Sequence, residues 1–324
     1  MAYATKLTEM FGIEHPVLLA PMGGVAGGRL ASAVSASGGL GFIGAGYGGV
    51  EGLERELALA GEARIGIGFI TWTVEQNRQL LDAALASGPA AVWFSFGDPT
   101  PYAAAVHQAG ARLVCQVQNL DQAAVALEAG ADVLVAQGTE AGGHGGSARA
   151  TFTFVPEVVD LARDAGAPVL AAGGVIDGRG LAAALALGAE GAVVGSRFVV
   201  SEESLLSQAA RRLVVAAKGD DTVRTRVYDV ARGLSWPEEF TGRVLRNEFI
   251  DQWHGREGEL AERMPQLREA FAEALANGDF RMASVHVGEG VGLIREALPA
   301  SDIMRALMAE TGEALARVGR AGRL

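Results

Sequence analysis

Short apolar runs, separated by alanine- and leucine-rich stretches of helical spacing, fill the first two thirds of the chain. The runs are Val17 to Ala20, Leu40 to Ile43, Ile65 to Gly68, Ala91 to Phe94, Leu113 to Gln116, Val133 to Ala136, Val169 to Ala172 and Ala192 to Val194. None alternates polar with apolar residues. Strands of that kind are buried on both faces, as in a parallel sheet flanked by helices. The intervening spacing predicts helices over 28–37, 51–60, 74–87, 100–109, 120–129, 155–165 and 178–188. Eight strands in strict alternation with helices predict an α/β fold, a (β/α)8 TIM barrel. Periodicity alone also permits an open doubly wound sheet.

The alternation stops near residue 200, so residues 1–200 form the predicted barrel core. Residues 201–285 read as a mostly helical insertion packed on the barrel. Its first helix is expected to start at Ser201-Glu202-Glu203-Ser204 and to carry Leu205, Leu206, Ala209 and Leu213. Thr222 to Val230 alternates and reads as extended. Residues 286–324 then complete the barrel domain with helices near 289–297 and 301–318, one of them the missing eighth barrel helix.

Composition narrows the function. The 324 residues carry 27 basic and 38 acidic groups, a net charge of −11. That charge repels nucleic acid and anionic membrane surfaces, so neither is expected as a partner. One cysteine, Cys115, excludes an internal disulfide framework. Its apolar neighbours make it a buried, inert thiol. No apolar run is long enough to span a bilayer and no secretory leader is recognisable, so a cytoplasmic protein is expected. No acidic or histidine cluster has metal-ligand spacing, and no metal is expected.

The chemistry concentrates in glycine-rich strand ends. Gln137 to Gly146 (QGTEAGGHGG) directly follows the sixth strand and places His144 among five glycines. Ordering so much glycine costs backbone entropy, which makes sense where backbone must approach a flat or phosphorylated ligand. A histidine there can serve as acid, base or hydrogen-bond donor near neutral pH. His15, His107, His254 and His286 have no comparable surroundings and read as surface or core residues. Gly173-Gly174 closes the seventh strand and Gly195-Ser196 the eighth, the two strand ends where barrels often bind phosphate. Ala20-Pro21-Met22 follows the first strand and offers a stiff, soft-surfaced wall. Gln116 and Gln137 end the fifth and sixth strands and can hydrogen-bond a polar ring edge. Gly39 to Gly44 matches G-x-G-x-x-G, but the strand lies inside the match, so the glycines read as ordinary turns and not a dinucleotide fingerprint.

Taken together, Leu19 to Gly24, Ser37 to Gly41, Gln137 to Gly146, Ala171 to Gly180 (AAGGVIDGRG) and Gly195 to Phe198 resemble the nitronate monooxygenase family, formerly called 2-nitropropane dioxygenases. The match continues through Arg246-Asn247 and Gly288 to Ile294. The resemblance implies a barrel with non-covalent FMN, held around Ala20, Pro21, Met22, Gln116, Gln137, Gly142, Gly143, Gly173, Gly174, Gly195 and Ser196. It implies His144 as the catalytic residue. Many relatives have threonine at the position of Ser196, so the hydroxyl is kept; some have a cation where Gln116 stands. The implied reaction is oxidation of an alkyl nitronate by O2 to a carbonyl compound and nitrite, with a small-molecule substrate and O2 as partners; the sequence leaves the oligomeric state open. An NAD(P)H-dependent FMN reductase, of the enoyl-acyl carrier protein or quinone type, shares the scaffold. A non-catalytic flavin- or phosphate-binding barrel is the reading from a different class.

Overall fold

A computed structural model describes residues 3–321. Its eleven strands in chain order are β1 (Val17–Leu19), β2 (Phe42–Gly44), β3 (Gly66–Ile70), β4 (Ala91–Ser95), β5 (Arg112–Val117), β6 (Val133–Gln137), β7 (Gly143–Gly145), β8 (Val169–Ala172), β9 (Gly191–Val194), β10 (Thr222–Thr225) and β11 (Thr241–Leu245). Eight of them form one parallel sheet in the order β1-β9-β8-β6-β5-β4-β3-β2. The two ends of that order meet. Leu19 N–H donates to Leu40 O at 3.0 Å, and Leu40 N–H to Val17 O at 3.1 Å. The sheet is therefore a closed barrel, and the open-sheet alternative is excluded.

The apolar runs explain this closure. One face of each strand fills the barrel, and the other meets the helices. Leu18, Phe42, Trp93, Val114, Val135, Leu170 and Val193 pack inside, together with Leu7 and Phe11 of the short helix Lys6–Phe11. That helix plugs the end where the strands begin. Phe42 meets Trp93 edge-on, with ring centroids 5.2 Å apart. Each such buried side chain stabilises the fold by about 1.5–3 kcal/mol relative to exposure. The opposite faces, among them Leu19, Ile43, Ile67, Val92, Leu113 and Leu134, pack against the helical ring. Helix Ala300–Ala321 lies against Gly178–Ala186 and Gly28–Ala36, and closes the ring as its eighth helix.

Four local expectations change. The helix expected over 74–87 breaks at Asn77 into Thr71–Gln76 and Arg78–Ala86. Residues 201–207 are not helical, because Ser204 Oγ donates to Val199 O at 2.8 Å and Ser201 Oγ to Glu203. Such local side-chain bonds compete with helix formation. The helix begins instead at Gln208, with Ser207 as its N-cap. Thr222 to Val230 is extended only over β10, then turns into helix Val227–Arg232. Residues 289–297 hold only a short 3-10 turn, Glu289–Leu293, since Gly290 and Gly292 weaken a helix there.

The largest departure concerns residues 201–285 as a whole. Four helices are present, but so is the antiparallel pair β10 and β11. β11 also pairs with β7, a strand inside the glycine-rich loop after β6, matching Gly242 with His144. The segment therefore does not merely lie on the barrel; it takes the His144 loop into a sheet of its own. A second core of Tyr228, Phe249, Trp253, Leu260 and Phe271 supports it. Among the described residues no helix is long and apolar enough to cross a membrane.

Candidate active site

The carboxyl ends of the barrel strands open into a cavity of about 470 Å3, within the range of small-molecule sites. Ala20, Pro21, Met22, Gln116, Gln137, Gly142, Gly143, His144, Gly173, Gly174, Gly195 and Ser196 all line it. One wall is thus built by the loops after β1, β6, β8 and β9, the seventh and eighth barrel strands being β8 and β9.

The glycine end of the cavity is shaped by backbone. Gly173 and Gly174 take φ of 107° and 75°, a region that side chains rarely adopt. A Cβ at Gly174 would meet nothing closer than Glu140 Cβ at 3.9 Å, so bare peptide faces the opening. Ser196 Oγ accepts a hydrogen bond from Gly288 N–H at 2.8 Å. Its own proton stays free to donate into the cavity. Bare peptide beside a hydroxyl, at the strand ends where barrels hold phosphate, suits a phosphate group. The wall after β1 depends on β3: a Cβ at Gly68 would lie 2.2 Å from Pro21 Cβ, so glycine is required for Pro21 to seat there. Gln118 donates through Nε2 to Gln137 Oε1 at 3.0 Å, and Gln137 donates to His144 O at 3.1 Å. The glutamine that ends β6 therefore also fixes the histidine's backbone.

Two arginines brace the same loop. Arg224 donates to the carbonyls of Thr139, Ala141, Gly145 and Thr241, and Arg243 to Thr139 O. Burial, with Arg243 close by, brings the Arg224 pKa down to about 10, which leaves it a cation at neutral pH. Glu289 pairs with Arg243 at 2.7 Å. Five glycines alone would leave the loop loose; these bonds convert it into a defined strand and turn.

The imidazole of His144 is held on two sides. Its Nε2 lies 2.8 Å from Asp229 Oδ1, and both side chains are largely buried, at 12% and 6% exposure. Trp236 stacks flat on the ring, with centroids 3.6 Å apart and planes at 3°. Trp236 is in turn fixed by its Nε1–H, which donates to Tyr47 Oη at 3.0 Å, and by edge contact with Phe96. Phe96 itself sits at φ 67°, the one non-glycine residue with positive φ among the described residues. Burial pushes the Tyr47 phenol up to about 12, so it stays protonated.

His286 corrects the sequence reading. It lines the cavity with its ring centroid 6.2 Å from that of His144. Burial, with His144 and Arg232 nearby, pulls its pKa down to about 3, so it is neutral at working pH. Asp229, Trp236 and Tyr47 were not anticipated either. Asp229 and Trp236 lie in no glycine-rich strand end, and Asp229 is 85 residues from its partner; Tyr47 does follow β2 among Gly44, Gly46, Gly48 and Gly49, a signal the sequence offered. Cys115 is buried in β5, and burial pushes its thiol pKa up, as expected of an inert thiol. Trp72 does not line the cavity; it packs edge-on against Trp236 at 5.5 Å. Among the described residues no group of three histidine, cysteine or acidic side chains could hold a metal ion.

A family model described as nitronate monooxygenase matches residues 4–65 and 67–310. Nitronate monooxygenase npaC of Metarhizium robertsii is 36% identical, over 89% of this chain and 88% of its own. Among solved structures, FabK from Thermotoga maritima superimposes with a TM-score of 0.84 at 32% identity, covering 99% of this chain and 100% of its own. The nitroalkane oxidase from Streptomyces ansochromogenes does so with a TM-score of 0.79 at 27% identity, covering 96% and 99%.

Proposed function

The chain belongs to the nitronate monooxygenase family, and on that premise we propose that it oxidises alkyl nitronates with O2, using FMN, to a carbonyl compound and nitrite. The family is flavin-dependent, and the chain is an oxidoreductase enzyme of that kind. The observation that carries the reading is spatial: one cavity joins a bare-peptide, phosphate-type cradle to a buried, fixed histidine.

In this reading Gly173, Gly174, Gly195 and Ser196 hold the FMN phosphate. Ala20, Pro21 and Met22 wall its ring system, with Gly142 and Gly143 beside it. Gln116 and Gln137 offer hydrogen bonds to its polar edge. The chemistry a bound FMN supplies is electron transfer between the nitronate and O2. The protein's own part is binding, orientation and proton handling. His144 faces the anionic end of the substrate. Protonated, it donates a hydrogen bond to a nitronate oxygen; neutral, it takes the α-proton of a nitroalkane. Trp236, Phe96 and Tyr47 form an apolar rim that excludes water from the substrate. His286, neutral, adds a hydrogen-bonding group without adding charge.

An NAD(P)H-dependent FMN reductase is the second reading, and the likeness to FabK fits it in part. Anaerobic mixing of the FMN-loaded protein separates the two. Propionate 3-nitronate is expected to bleach the flavin absorbance, while NADH leaves it unchanged on the same timescale. Rapid bleaching by NADH and none by the nitronate would overturn the first reading in favour of the second.

A further inference from the structure

Asp229 is in an unusual position for a surface-derived carboxylate. It is buried, its Oδ1 meets His144 Nε2 at 2.8 Å, and its Oδ2 is sealed from solvent with no hydrogen-bond partner among the described residues. A buried carboxylate with one orphaned oxygen is costly unless its other oxygen has a strong donor. Among the described residues, the only donor offered is the Nε2–H of His144. An ionised carboxylate can only accept, so this contact puts the imidazole proton on Nε2. The other ring nitrogen, Nδ1, has no protein partner among the described residues, is not sealed off, and belongs to a side chain that lines the cavity. Trp236 covers one face of the ring and so resists a flip that would exchange the two nitrogens.

We infer that Asp229 is a positioning residue that fixes the tautomer of His144, so that Nδ1 is the ring nitrogen presented to the substrate. When His144 is neutral, the Nδ1 lone pair faces the cavity. A proton taken from a nitroalkane carbon then forms the Nδ1–H bond, the C–H electron pair becomes the C=N bond of the nitronate, and Asp229 balances the imidazolium charge. When His144 is protonated, Nδ1–H donates to the bound anion while Nε2–H stays on Asp229. The other charged and titratable groups around the ring cannot replace this contact. His286 is neutral and donates no charge. Arg232, on the same helix as Asp229, lies over Tyr47. Arg224 and Arg243 are engaged with loop carbonyls, and Glu289 with Arg243. The proton transfer rests on the nitronate reading; the tautomer does not.

The test is nitrogen NMR of the FMN-loaded protein with 15N-labelled histidine, His144→Gln assigning the signal. The neutral form is expected to show a protonated Nε2 and a lone-pair Nδ1. In Asp229→Asn the amide can donate as well as accept, so the lock is lost and Nδ1–H becomes populated. Turnover of the nitroalkane should fall roughly 10²- to 10⁴-fold in kcat with little change in KM. Asp229→Glu should recover part of the loss. A wild-type spectrum with the proton on Nδ1, or an Asp229→Asn protein with unchanged spectrum and kcat, would overturn the inference. The spectrum needs no substrate, so a failure of the nitronate reading leaves this result readable.

Discussion

The barrel and the segment built on it, residues 201–285, solve different problems at the same cavity. The barrel contributes bare backbone and apolar walls: Gly173, Gly174, Gly195, Pro21 and Met22. The added segment contributes ionisable and aromatic side chains: Asp229, Arg232 and Trp236. His144 sits on the seam, because its strand β7 leaves the barrel and pairs with β11. A scaffold suited to holding a ligand by its backbone thus leaves the tuning of the chemistry to whatever is packed over its mouth.

That division breaks first at His144. Replacing it by Gln should lower kcat/KM for a nitronate or nitroalkane by roughly 10²- to 10⁴-fold while FMN content stays normal. Loss of FMN in parallel would mean that the seam serves the cofactor and not the chemistry. The barrel side is tested by Trp93→Ala, which empties the strand interior and should cost about 3–5 kcal/mol of stability in a denaturant titration. The folded fraction should keep its turnover, since Trp93 is buried below the cavity and does not line it. On the added segment the expectation reverses. Trp236→Leu removes the flat stack on His144 and should cost about tenfold in kcat/KM, or about 1.4 kcal/mol, with only a small change in thermal midpoint.

At neutral pH the smallest effect is at His286, whose contribution appears only as the pH falls. His286 has its folded pKa lowered to about 3 from an ordinary value of 6.5. Below 6.5 the unfolded chain binds a proton that the folded chain refuses, so stability falls as pH drops from 6.5 towards 3. The slope attributable to this one group is about 1.4 kcal/mol per pH unit at most. His286→Gln should flatten the dependence of thermal midpoint on pH in that window. An unchanged slope would show that the ring is protonated in the folded protein.

Legibility in the sequence followed the same division. All eight barrel strands were readable, because burial on both faces demands unbroken apolar runs such as Val133 to Ala136. The glycine positions were readable because backbone exposure at a strand end restricts the residue type. The pairing of His144 with Asp229 was not. Asp229 lies in a six-residue helix, Val227–Arg232, whose local pattern looks extended, and its position is set by the second core and not by its neighbours in the chain. The same holds for Trp236, which gains its meaning only when Tyr47, 189 residues away, accepts its N–H. His286 gives little signal because it stands in Val285-His286-Val287, outside the eight barrel strands and their ends; the bridge between Val244 and His286 places it.

Nitronate oxidation by the proposed flavin site and the seam histidine can be followed without NADH. Oxygen uptake and nitrite release, measured on the FMN-loaded protein with propionate 3-nitronate as sole electron donor, test it most directly. Both are expected to proceed without NADH, and His144→Gln should reduce both to the same degree. A flavin-loaded protein that consumes no oxygen and releases no nitrite with the nitronate, but oxidises NADH rapidly, would contradict it.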